Sequence, residues 1–128
     1  MLFTDDDIEF IDHSWGFERV WTRSEEYIGK YIFISSQCAL PQQLHSKKDK
    51  TVLVLAGTLL VEIDSSNTGQ IENILVDEGE SYHIAPGVIH RLSAEEREVE
   101  LIEASTNEHD TIFQRARQKT LKIVDYFR

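Results

Sequence analysis

An all-β fold, a sandwich or barrel of short strands, is what this chain predicts, and three observations carry the prediction. Segments rich in β-branched and aromatic residues begin near Trp15 and are broken by turn residues at intervals of about 8 to 12 positions. No strong helical period runs through the first hundred residues. A chain of 128 residues that is 41% hydrophobic suits a single packed core.

Residues 1–13 are acidic and form either a loose arm or a short edge strand, with Phe3, Ile8, Phe10 and Ile11 available to dock. The strand segments then follow as FERVWTR, KYIFISSQ, TVLVLAGTLLVEID, QIENILVDE, SYHIA, IHRLSA and VELIEAS. Three groups of turn residues separate them: Ser65, Ser66, Asn67 and Gly69, then Glu78-Gly79-Glu80, then Pro86-Gly87. VLVLAGTLLV is apolar throughout, as in a strand covered on both faces or lining an apolar-walled cavity, and Gly57 inside it marks a bend or a close backbone approach. The order E-V-E-L-I-E from Glu98 to Glu103 nearly alternates, which places Val99 and Leu101 on one face and Glu98 and Glu100 on the other. After Ser105 the pattern weakens. Phe113, Ala116, Val124 and Phe127 can share one helical face, so a short helix is expected within an extension at 107–128, beyond a barrel at 14–106.

The formal charge of −10, from 23 acidic and 13 basic residues, excludes a nucleic-acid partner, because such a surface repels the phosphate backbone. The basic residues Arg115, Arg117, Lys119 and Lys122 read as a solvated face. The single cysteine, Cys38, forbids an intrachain disulfide, and the N-terminus carries acid where a signal peptide needs positive charge, so a cytoplasmic protein is expected. No apolar run approaches the roughly 20 residues of a membrane-spanning helix.

Gln43 and His45 lie two apart at the entry to a strand, so in extended backbone both side chains project to one face, a metal-ligand geometry. A turn can return the side chain at position 50 to that face. His90 follows the Pro86-Gly87 turn, and neighbouring strands would let it converge with His45 inside a barrel.

The pattern Gln43-x-His45-x4-Lys50-x6-Gly57, followed by Gly79-x7-Gly87-x2-His90, resembles the two cupin motifs. Within cupins it is similar to the C-terminal domain of type II mannose-6-phosphate isomerases and of the bifunctional isomerase/mannose-1-phosphate guanylyltransferases. Their first motif reads Gln-x-His-His-His-Arg-x-Glu-His-Trp, then a strand ending Gly-Thr. Here Gln43, His45 and Gly57-Thr58 are kept, Lys48 stands for the usual Arg, and Lys50 for the usual Glu. SWGFERVWTRSEEYIGKYIFI resembles the family's Pro-Trp-Gly opening and the strand after it, and GESYHIAPGVIHRL the second motif.

The resemblance implies a small single-domain double-stranded β-helix, or jelly roll, forming a homodimer, with a sugar or sugar phosphate in its pocket. It implies a divalent metal, zinc, manganese or iron, on Gln43, His45 and His90, and aldose–ketose isomerisation, for which the residues here offer His45 or His90 to move the proton and the metal or Lys50 to polarise the carbonyl. That reaction needs a base poised near neutral pH and a cation for the enediolate oxygens. An ammonium where a carboxylate is usual weakens a dication site, unless Lys50 turns outward. Alternatively its ammonium sits in the metal's place, donating to Gln43 and to a ligand oxygen. A non-catalytic carbohydrate-sensing cupin is the second reading. Tyr31 and Phe33, on one face of their strand, are candidates to line the cavity, and Arg91 either reaches a ligand phosphate or pairs with a glutamate across the sheet. His83 is expected to face outward, Trp15 and Trp21 to pack, and His13 and His109 receive no role.

Overall fold

The computed structural model describes residues 1–107, and the expected C-terminal helix lies outside the described residues. Nine strands follow a short 3-10 turn at Asp5–Asp7: β1 Glu9–His13, β2 Gly16–Arg23, β3 Tyr27–Ile34, β4 Lys50–Ala56, β5 Leu59–Asp64, β6 Glu72–Val76, β7 Ser81–Ile84, β8 Ile89–Ala94 and β9 Val99–Thr106. They form a six-stranded sheet of order β1-β2-β3-β9-β4-β7 and a three-stranded sheet of order β6-β5-β8, all pairs antiparallel. Two sheets packed face to face in this way make a jelly roll.

Of the two alternatives for the N-terminal segment, residues 9–13 take the edge strand, paired with β2. The seven sequence segments all become strands, with one difference. The apolar run around Gly57 is two strands rather than one, β4 in the large sheet and β5 in the small one. The chain crosses between sheets at Gly57, which has φ +86° and stands so close to the Glu98 carbonyl that a Cβ would collide with it.

Alternation along each strand decides what faces the interior. On β9, Val99, Leu101, Glu103 and Ser105 are buried, and on β4, Val52 and Val54 are buried beside Lys50. Ile32 and Ile34 of β3 meet Val61, Leu92 and Leu101 in the apolar core. Along these strands the inner face therefore passes from valine and leucine at one end to lysine and glutamate at the other. Leu101 is wholly buried, so Leu101→Ala is expected to cost about 2–5 kcal/mol in thermal or denaturant unfolding.

The outward face of the large sheet carries an aromatic stripe. Phe17 stacks on Phe10 at 5.0 Å and on Phe33 at 5.3 Å, with Tyr31 at 6.0 Å. Trp21 packs one part of its ring over Gly29 and leaves the rest exposed, whereas Trp15 is buried. Among the described residues no helix is long and apolar enough to cross a membrane.

Candidate functional site

Backbone hydrogen bonds bring the two motif segments together. Residues 39–43 run antiparallel beside β8, with Gln43 N donating to His90 O at 2.9 Å and His90 N donating to Gln43 O at 3.0 Å. The Pro86-Gly87 turn is tied down as well, because Gly87 N donates to His45 O at 2.7 Å. His45 and His90 are consequently buried, with ring centroids 6.1 Å apart. The convergence expected from their spacing is present.

Lys50 points inward. Its Nζ donates to Gln43 Oε1 at 3.1 Å, and the same oxygen lies 3.1 Å from His45 Nε2. On its other side Lys50 faces Glu103 Oε1 at 3.6 Å, while Lys48 Nζ stands 3.9 Å from Glu103 Oε2. Lys48, Lys50 and Glu103 are all buried. Burial lowers the Lys50 pKa, opposed by the neighbouring Glu103 charge. For Glu103, burial alone would raise the carboxyl pKa, but Lys50, then Lys48 and Lys30, outweigh it and hold the group below its ordinary value.

His90 is oriented by its own turn, with Nδ1 donating to the Val88 carbonyl at 2.9 Å. Burial first and the Lys50 charge second hold its pKa well below the usual range, so the ring is neutral and Nε2 carries a lone pair. Among the described residues that buried nitrogen has no hydrogen-bond partner.

Gln43, Lys48, Lys50 and Glu103 form the floor of a cavity of about 190 Å³ whose mouth is lined by His13, Trp15, Glu18 and Lys30, while His45 and His90 are buried outside its lining. His13 Nε2 lies 2.7 Å from Glu18 Oε2, Lys30 Nζ lies 3.0 Å from Glu18 Oε1, and the His13 ring stacks on Trp15 at 4.3 Å. A larger depression of about 520 Å³ is formed by turn residues including Gly57, Asp77, Glu95 and Arg97. It shares no lining residue with the lysine cavity, and its lining is predominantly acidic.

Tyr31 and Phe33 do not line the cavity. Lys30 and Ile32 take the inward phase of β3, and Tyr31 faces outward, donating to Glu100 Oε1 at 2.7 Å. Burial and then Glu100 push the phenol pKa up to about 12. Arg91 takes the cross-strand alternative, donating to Glu62 at 2.6 Å on the paired strand β5. His83 is exposed and meets Asp49.

The donor set does not fit a divalent metal. Gln43 Oε1, the oxygen a metal would need, already accepts the Lys50 ammonium, and that ammonium would repel a dication at close range. Among the described residues no group of three His, Cys, Asp or Glu side chains is placed to hold an ion. The metal set expected on Gln43, His45 and His90 is thus reduced by the residue that replaces its carboxylate.

Oxalate decarboxylase of Bacillus subtilis, which has Mn(II) centres, superposes with a TM-score of 0.72 at 18% identity, over 84% of this chain and 29% of its own. KdgF from a Halomonas species superposes with a TM-score of 0.67 at 14% identity, over 88% of this chain and 99% of its own. At such identities the likeness establishes the cupin fold, and this chain spans under a third of the decarboxylase. No curated protein matches by sequence. The family described as mannose-6-phosphate isomerase C-terminal matches residues 6–112. Because that match covers most of the chain and its motif residues lie together at one end of a cupin barrel, the protein belongs to the mannose-6-phosphate isomerase C-terminal family.

Proposed function

We propose that this cupin binds a sugar phosphate or a related anionic carbohydrate in the barrel mouth, using the Lys50 ammonium where the family pattern places a carboxylate and a metal. The observation that carries this reading is the buried Lys50 Nζ, held between Gln43 Oε1 and Glu103. Three lysines, Lys30, Lys48 and Lys50, line the cavity against two carboxylates, Glu18 and Glu103. Among the described residues, with the histidines counted as neutral, the lining carries one more positive than negative charge in a chain of formal charge −10. A desolvated surplus cation favours an anionic ligand. At about 190 Å³ the cavity is smaller than the roughly 300–1,000 Å³ common for drug-sized ligands, so it suits the charged end of a sugar phosphate, with the rest at the mouth.

Calorimetric titration with mannose 6-phosphate and with inorganic phosphate tests this. Both are expected to bind, more weakly as salt rises, and Lys50→Met should weaken both at least tenfold. Absence of binding by mannose 6-phosphate and fructose 6-phosphate alike would overturn the reading.

A catalytic version is favoured by one observation, the unpartnered His90 Nε2. On this reading the C2 proton of an open-chain sugar phosphate would have to reach that nitrogen, which is buried beside the Lys50 charge outside the cavity lining, while Lys50 stabilises the enediolate oxygens. Such chemistry requires solvent deuterium to enter the sugar, and its absence would leave a binding protein. Homodimerisation belongs to the same reading, since the outer edge of β1 pairs with no strand among the described residues; a single-chain mass in sedimentation would remove it.

A further inference from the structure

We infer that His13, oriented by Glu18 on the face of Trp15, is a second ligand-contact group of this cavity and recognises the sugar portion of the ligand whose anionic end lies on the lysines. The inference rests on the binding reading above and extends it to residues outside both cupin motifs.

His13 is fixed from three sides. It ends β1 opposite Gly16, and the hairpin turn that follows is anchored by Ser35 N donating to Trp15 O at 2.8 Å. Its ring lies within 10° of parallel to Trp15. Glu18 then sets the ring's protonation pattern. A carboxylate only accepts, so His13 Nε2 carries the hydrogen and the 2.7 Å contact is a donation to Glu18. Glu18 is itself held by Lys30 at 3.0 Å, with both side chains mostly buried.

Among the described residues this leaves Nδ1 without a hydrogen-bond partner, in a ring that lines the cavity and is 30% exposed. A carboxylate pinning one nitrogen of an imidazole that lines a cavity is an arrangement by which proteins orient a histidine toward a ligand. A ring serving only to pack on Trp15 would not need the Glu18 contact, and a surface ion pair would not need burial of Glu18 and Lys30. Lys50 and Lys48 reach the same cavity from its floor, so a ligand with an anion at one end and hydroxyls at the other can engage both sets.

His13→Phe deletes the nitrogens and keeps the stack on Trp15. Calorimetry on the full chain is expected to show at least tenfold weaker mannose 6-phosphate binding, with inorganic phosphate changed less than twofold, because phosphate alone lies on the lysines. In the wild type the His13 Nδ1 resonance should move on adding mannose 6-phosphate and stay in place with inorganic phosphate, a response that a packing role would not produce. If His13→Phe binds mannose 6-phosphate as the wild type does and that resonance is unmoved, the inference is overturned while the binding reading stands. If Lys50→Met binds as the wild type does but His13→Phe does not, the lysine floor fails instead. If the wild type binds neither probe, both fall.

Discussion

Lys50→Glu is expected to convert a chain with little affinity for divalent cations into one carrying near-stoichiometric metal. Two changes act together, and a third group is already in place. The repelling ammonium disappears, worth about 1–4 kcal/mol per charge pair at 4 Å between the water and protein-surface limits. Gln43 Oε1 loses the Lys50 donor, and the His90 Nε2 lone pair needs no rearrangement to bind. The new carboxylate also faces Glu103, so the metal-free variant carries adjacent buried negative charges and should unfold at lower temperature. Manganese or zinc should reverse that loss, by about 2.7 kcal/mol at a hundredfold excess over Kd. Elemental analysis and thermal unfolding with and without metal, on wild type and variant together, make the comparison. Equal metal in the two proteins would show that Lys50 does not govern the site.

Glu103→Gln should be the most damaging polar substitution at the cavity floor. Glu103 is the carboxylate that both Lys48 and Lys50 face within 3.9 Å. Deleting one partner of a buried ionic cluster costs about 3–5 kcal/mol, because the remaining charge stays desolvated. The acid side of the stability profile should change as well. The folded pKa of Glu103 lies below its ordinary 4.5, so its contribution is full above that value and fades as pH falls through the lower folded value. Wild type should therefore lose stability below about pH 4.5 more steeply than Glu103→Gln. Parallel acid limbs in denaturant titrations at several pH values would contradict this.

How much of this was legible varies with the physics involved. The strands were readable because alternation and turn chemistry are local, and the meeting of His45 with His90 followed from motif spacing. Gly57 was visible as a bend, but its division of one apolar run between two sheets depends on tertiary pairing. The phase of β3 was ambiguous because Ile28, Ile32 and Ile34 alternate with Tyr31 and Phe33, so either face could have been the core. Pairing of Lys30 with Glu103 on β9 settles it. Glu103 left a readable signal, since it lies in phase with Val99 and Leu101, yet a buried glutamate is a rare outcome that its partners alone justify. Lys48 showed only as a motif position, and His13, in a polar stretch, gave no local sign; the folded chain brings both to the cavity.

The polarity change along β4 and β9 has an evolutionary consequence. Val99 and Glu103 lie four residues apart on one strand, a separation of about 13 Å at strand rise, so the apolar end can secure the barrel while the charged end accumulates substitutions. A lineage can then pass from a metal-held carboxylate to an ammonium centre at a single codon without dismantling its scaffold, and inherit a different chemistry in the same container.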